Sequence, residues 1–256
     1  MTVSVNAILS VRYSSSRLPG KALLEISGQP VLLFVANRCL SAGLRPFVFT
    51  SSESSDNVIV DLAQKHSLPF YRGELDNKVQ RWADGFEFFG FEDGHLIDVD
   101  DPYFNPESCI RSLEALRAAK EIEVLLPSPV SDNGEASVGT SATLRGLKIA
   151  LNSVRNLGLS DLDVVPWDTL LEPRNLGVFE GKSHNSIPRF RLTLDYPEDY
   201  ELLKLLGQKF GPNSRRQDIE SFLMENPDLI NINFARNRDF LENKVAFLQG
   251  QKNERK

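Results

Sequence analysis

Val5-Asn6-Ala7-Ile8-Leu9-Ser10-Val11, followed at once by Arg12-Tyr13-Ser14-Ser15-Ser16-Arg17-Leu18-Pro19-Gly20-Lys21, is an apolar run that breaks into a basic loop. The run reads as a buried first strand. The loop packs two arginines, one lysine, three serines and a Pro-Gly turn behind it. Small residues let backbone N–H groups approach oxygen atoms closely, and the cations neutralise negative charge. α/β sheets bind ligands at the carboxyl ends of their strands. The stretch is therefore read as a polyphosphate-binding loop, with Arg12, Ser14, Ser15, Arg17 and Lys21 as its candidate ligands. It matches neither G-x-x-x-x-G-K-[ST] nor G-x-G-x-x-G, since Gly20 is its one glycine.

Outward from this loop, strand and helix signals alternate. Helices are expected over Pro30–Ala42, up to His66, Asp76–Gly90 and Pro106–Lys120. Strands are expected at Pro46–Thr50, Leu68–Tyr71, Gly94–Val99 and Val124–Pro127. Ser51–Asp56 reads as a loop offering helix caps, and Asp76 as the cap of the helix that follows it. This βα rhythm predicts an α/β fold with a mostly parallel, doubly wound sheet. Residues 128–188 break the rhythm. A strand at Phe190–Leu194 and helices over Pro197–Phe210 and Arg216–Glu225 restore it, and the polar tail from Gln249 reads as frayed.

Bulk properties exclude several function classes. The 256 residues suit one domain, with 41% hydrophobic and 25% charged residues. A net charge of -6 argues against non-specific nucleic-acid binding. No apolar run approaches the ~18 residues that a membrane span needs, and no signal-like segment opens the chain; a cytoplasmic location follows as an expectation. Cys39 and Cys109 lack ligand spacing and read as reduced, buried thiols. His66, His95 and His184 share no metal spacing, and Ser14 to Ser16 have no triad partners.

Asp98-Val99-Asp100-Asp101-Pro102 crowds three carboxylates at a strand's carboxyl end. Such crowding is favourable around a hard cation; a capped polar loop is the equally open alternative. Pro197 with Glu198 and Asp199 is helix-start chemistry, which leaves Asp195 at the end of the strand before it.

Several of these blocks resemble the cytidylyltransferases that activate acidic sugars, 3-deoxy-manno-octulosonate and sialic-acid-like nonulosonates, and most of all a branch named for spore coat polysaccharide biosynthesis. The opening loop is similar to that family's A-R-x-G-S-x-R-L-P-G-K, and Gly28-Gln29-Pro30-Val31-Leu32 to its G-x-P-[ML]-[LI]. The Asp98–Pro106 stretch resembles T-G-D-x-P-x-x-x-P, with Asp100 on the metal-binding aspartate. Leu192–Tyr200 resembles L-T-[VL]-D-T-P-E-D-[LY], and Arg72–Trp82 resembles R-G-x-x-x-D-V-x-x-R-[YF]. Departures from the pattern are Ser14 and Val99 for glycine, Leu96 for arginine, Lys78 for valine, and Asp98 and Asp101 as atypical neighbours of Asp100.

The resemblance covers roughly residues 4–127 and 189–206. It implies a Rossmann-like nucleotidyltransferase fold with a small dimerisation lobe near 128–188 and transfer of CMP from CTP to an acidic sugar. It assigns Arg12, Lys21 and Asp100 to catalysis, and Arg72 and Asp98 to the nucleotide alongside the loop residues. Mg²⁺ falls to Asp100 and Asp195, the sugar to Arg81, and a homodimer is implied. Two alternatives stay open: another NTP or sugar, or a diverged homologue that binds a nucleotide without turnover.

Overall fold

A computed structural model describes residues 4–15, 17–179 and 188–253. The elements run β1 (Asn6–Ser10), β2 (Glu25–Ile26), β3 (Gln29–Pro30), α1 (Val31–Ser41), β4 (Arg45–Ser51), α2 (Asn57–Lys65), β5 (Phe70–Gly73), α3 (Lys78–Phe89), β6 (Asp93–Asp98) and α4 (Pro106–Ala118). They continue with β7 (Val124–Leu126), β8 (Thr140–Thr143), α5 (Leu144–Leu157), α6 (Trp167–Leu170), β9 (Leu176–Val178), α7 (Pro197–Gly207), α8 (Arg216–Glu225), α9 (Pro227–Asn231) and α10 (Arg236–Asn253).

The main sheet has the order β5-β4-β1-β6-β8-β7-β9, and only β8 runs against its neighbours. This is the mostly parallel α/β sheet expected from the βα rhythm, and the Rossmann-like fold that the resemblance implies. Ser10 pairs in register with Phe49 on one side and Asp98 on the other. The carboxyl ends of β1, β4 and β6 therefore share one edge, as parallel strands joined by crossover helices require.

Successive side chains of a strand face opposite sides of its sheet, and two cores result. Ala7, Leu9, Val48 and Ile97 pack with α1, α2, α4, α7 and α8. Ile8, Phe47, Phe49 and Leu96 pack with α3, α5 and α6. Leu96, at an expected arginine position, is thus a core residue, 4% exposed. Cys39 and Cys109 are buried free thiols. Among the described residues, no helix is long and apolar enough to cross a membrane.

Several local expectations are corrected. Asn77, not Asp76, caps α3: its side chain accepts the Gln80 N–H at 2.9 Å. Within residues 128–188, the antiparallel strand β8 gives way directly to α5, because Thr143 caps that helix by accepting the Gly146 N–H. Phe190–Leu194 joins no strand ladder; the Leu192 N–H goes to Gly134 O and the Leu194 N–H to Asp100 O. The tail expected to fray belongs to α10 as far as Asn253.

His95 on β6 is fully buried, with Nδ1 2.8 Å from Ser141 Oγ, which lies 2.9 Å from Ser112 Oγ. Burial lowers its pKa from 6.5 to about 3. A histidine kept neutral in the folded chain is protonated first in the unfolded chain. Its stability contribution is therefore present above pH 6.5 and lost as pH falls toward 3, by up to about 1.4 kcal/mol per pH unit. Denaturant unfolding of wild type and His95→Gln across pH 7 to 4 checks this: the stability gap is expected to close on acidification, and parallel profiles would contradict it.

Candidate functional site

The basic loop leaves β1 with the Val11 N–H on Phe49 O at 3.1 Å. Gly20 closes it, donating to Tyr13 O at 3.0 Å with φ +69°, a left-handed conformation that suits glycine. A Cβ there would stand 3.3 Å from the Tyr13 ring. The loop is anchored by Asp56, whose buried carboxylate accepts the Tyr13 N–H (2.7 Å), the Thr50 hydroxyl (2.8 Å) and both the N–H and hydroxyl of Ser51. Asp56 is therefore a loop anchor, and no side-chain cap bond links it to α2.

At the foot of the loop Lys21 Nζ lies 2.5 Å from Asp100 Oδ2 and 3.1 Å from Asp195 Oδ1. Arg17 Nη2 reaches the same Asp195 oxygen at 2.7 Å. Asp195 Oδ2 accepts from Arg191 Nη2 at 3.0 Å, and Arg191 is held in turn by Asp199. The Leu194 N–H bond to Asp100 O (2.7 Å) brings this carboxylate to the end of β6 from 95 residues away in sequence. Asp199 takes the N–H groups of Asp195 and Tyr196 at the start of α7, while Glu198 pairs with Arg236. Burial alone would raise Asp195, but Lys21, Arg17 and Arg191 outweigh it and hold the carboxyl down at about 2. Burial would likewise lower Lys21, and Asp100 and Asp195 raise it instead. Asp100 is raised by burial and by its anionic neighbours.

Arg17, Lys21, Asp100 and Asp195 line a cleft of about 1040 Å³ at the carboxyl ends of the strands. Arg12, Ser14, Ser15, Arg81 and Asp98 line it too. Arg12 pairs with Asp163 at 2.8 Å. Ser14 is exposed, and Ser15 Oγ accepts the Leu18 N–H at 3.4 Å. Arg81 is buried, and its guanidinium donates to the carbonyls of Glu74 and Leu75. Asp98 pairs with Lys78 at 2.7 Å, so the lysine at an expected valine position balances an aspartate that is itself atypical. Arg72 does not line the cleft. It donates to Ser51 O, Glu53 O and Asn57 Oδ1, and holds the segment between β4 and α2. Ser16 and His184 lie outside the described residues.

Three features escaped the sequence reading. Arg191 is fully buried between the core residues Phe190 and Leu192, and its signal was a charge set between two apolar residues, which needs a buried partner. Arg216 donates to the carbonyls of Tyr103, Ala136 and Glu135, tying the segment after Asp101 to the turn at 131–135. The helix α10 contributes Phe240, Asn243, Lys244 and Phe247 to the cleft wall.

The donor set suits a hard divalent ion. Asp100 and Asp195 converge on one positive centre, here the Lys21 ammonium, and their oxygens are the ligands Mg²⁺ prefers. Among the described residues no cluster of three or more His, Cys, Asp or Glu side chains is arranged for a metal. The two carboxylates would supply two of the ligands of such an ion.

Ser14→Gly tests the loop's departure from the glycine pattern. Because the side chain is exposed, the change is expected to leave affinity for CTP, the nucleotide that the resemblance implies, within about threefold of wild type or to tighten it. A loss of about tenfold or more in a binding titration would make the hydroxyl itself a ligand.

A family model described as Cytidylyltransferase matches residues 6–143. The 3-deoxy-manno-octulosonate cytidylyltransferase of Yersinia enterocolitica serotype O:8 / biotype 1B is 30% identical over 137 residues, covering 52% of this chain and 54% of that protein. That of Yersinia pseudotuberculosis serotype O:1b is 29% identical over the same coverage. The chain thus matches about half the length of these curated relatives. A solved cytidylyltransferase from Leptospira borgpetersenii serovar Hardjo-bovis superposes with a TM-score of 0.76 at 21% identity, covering 89% of this chain and 96% of that one. A CMP:2-keto-3-deoxy-manno-octonic acid synthetase complexed with CTP gives 0.56 at 16% identity, covering 81% and 100%. At these identities the two structures establish a shared fold.

Proposed function

The chain belongs to the cytidylyltransferase family, and from that premise we propose that it transfers CMP from CTP to an acidic 2-keto-3-deoxy sugar, releasing pyrophosphate. The observation that carries the reading is the convergence of Arg17, Lys21, Asp100 and Asp195 at the foot of the loop behind β1. The sugar hydroxyl loses its proton and bonds to the α-phosphorus, while the bond from that phosphorus to the bridging oxygen breaks. Such a displacement needs positioning and charge neutralisation rather than a covalent enzyme intermediate.

Arg12, Arg17 and Lys21 bind the triphosphate, with Ser14 and Ser15 beside it. Each of the three cations already holds a carboxylate in or beside the cleft, and the incoming phosphates exchange with these partners. Asp98 lies along the nucleotide site, and Arg81, buried among carbonyls, frames the sugar side. Asp100 and Asp195 would hold Mg²⁺, which when bound supplies charge screening for the phosphates. Relatives named for 3-deoxy-manno-octulosonate support this acceptor class. The homodimer belongs to the same reading, supported by β9, the edge strand of the sheet among the described residues.

Pyrophosphate release measured with each of the four NTPs against a panel of 2-keto-3-deoxy sugar acids tests the reading. CTP with one or more of these acids is expected to give release above either substrate alone. Faster release with another NTP would point to a different nucleotidyltransferase.

A further inference from the structure

Helix α10 lies beyond the stretch that the family model matches, yet it walls the cleft. It is fixed there through the catalytic cluster. The Arg191 guanidinium, which holds Asp195 Oδ2, lies 5.0 Å from the Phe240 ring on α10 and 5.4 Å from the Tyr196 ring on its other flank. Gly134, with φ +115°, presses against the same guanidinium; a Cβ there would stand 2.9 Å from Arg191 Nη1 and 3.1 Å from Asn237 Oδ1. The turn at 131–135 and the first half of α10 thus form one unit around Arg191. One turn beyond Phe240, Lys244 Nζ meets the Asp132 carboxylate of that turn, with Asn133 Oδ1 at 3.5 Å.

This ammonium has a partner of its own: it pairs with Asp132, whereas Arg12, Arg17 and Lys21 pair with Asp163, Asp195 and Asp100. Arg17 and Lys21 reach Asp195 through Oδ1, whereas α10 reaches it through Arg191 and Oδ2. The loop and the helix therefore engage different oxygens of the carboxylate, and both meet Tyr196, through Arg17 and Asn243. Lys244 is also held lightly: its side chain is 21% exposed and that of Asp132 is 53% exposed. A pair this open contributes little on its own and readily exchanges partners. Displacement chemistry places the acceptor and the leaving pyrophosphate on opposite sides of the α-phosphorus, so an acidic acceptor needs a cation remote from the triphosphate loop.

We infer that Lys244 binds the acceptor's carboxylate, exchanging Asp132 for it, and so makes α10 the helix that selects acidic acceptors; this rests on the transfer reaction proposed above. Phe240 and Phe247 give the same wall an apolar surface for the ring, and Asn243 adds a polar group.

Steady-state kinetics on wild type, Lys244→Met and Lys244→Arg test it, using the panel acid with the best turnover and its carboxamide. Loss of one charge-assisted bond is expected to raise the acceptor KM roughly tenfold in Lys244→Met, with the CTP KM within about twofold. Lys244→Arg is expected to recover most of the affinity, because it keeps the charge. The carboxamide is expected to be a poor acceptor for wild type and no poorer for Lys244→Met. An unchanged acceptor KM in an active Lys244→Met overturns the inference alone, as does a CTP KM that rises as much as the acceptor's. Wild type that releases no pyrophosphate with any acid of the panel overturns the reaction and the inference together. Lys244 is a helix-surface residue, and a thermal midpoint close to wild type confirms that the variants remain folded.

Discussion

Asp100→Asn and Asp195→Asn are each expected to lower Mg²⁺-dependent turnover by roughly 10²–10³-fold, the range for losing one preorganised charge from a transition-state site. The double variant is expected to be little worse than either single one, because groups that act as a unit do not add. Their stabilities should separate. Asp195 is 2% exposed and bound by Lys21, Arg17 and Arg191. Neutralising it leaves three cations short of a partner, at a cost of about 3 kcal/mol. Among the described residues the Asp100 carboxylate is bonded to Lys21 alone, and that lysine keeps Asp195. Thermal unfolding therefore ranks Asp195→Asn well below Asp100→Asn, while rates measured across a Mg²⁺ titration place the two together. Near-wild-type turnover in either variant would remove that carboxylate from the site.

Lys21→Ala carries the second large effect. Its ammonium is a compact charge suited to phosphate, and its loss is expected to lower kcat/KM for CTP by roughly 10²-fold. It also leaves the half-buried Asp100 and the buried Asp195 carboxylates without the ammonium between them, so stability at pH 7 falls as well. The sign with pH follows from the carboxyls. With Lys21 gone, the group it no longer compensates titrates higher, and each proton taken up at low pH relieves the repulsion. The stability gap between variant and wild type is therefore expected to narrow as pH is lowered from 7 to 4. Paired turnover and unfolding measurements check it; unchanged turnover with lowered stability would make the loop structural.

Much of this site is legible in the sequence because local rules act over short spans. A strand that ends in Arg12–Lys21 carries its own Pro-Gly turn, and Gly20 takes the left-handed conformation that turn needs. The Asp98–Asp101 crowding lies within four residues, and Pro197 marks where Asp195 must sit. What stayed illegible depends on partners distant in sequence. Arg72 reads as a nucleotide ligand beside Gly73, but register sets Arg72 against Thr50 and turns its guanidinium onto the segment after β4. Phe190–Leu194 has a strand's alternation, yet its N–H groups go to Gly134 and Asp100 instead of a ladder. Lys78 and Asp98, two separate departures from the family pattern, are a single ion pair. Helix α10 has no clean apolar stripe, since it packs through Phe240 on a buried arginine and through Lys244 on a turn.

The central claim is that the acceptor attacks the α-phosphorus of CTP. Incubation with CTP carrying ³²P at the α position, Mg²⁺ and a 2-keto-3-deoxy sugar acid tests it most directly. The account predicts that the label moves into a product holding both cytidine and the sugar acid, with unlabelled pyrophosphate released in equal amount. Label that remains in CTP, or emerges as free CMP or CDP without the sugar, would contradict it.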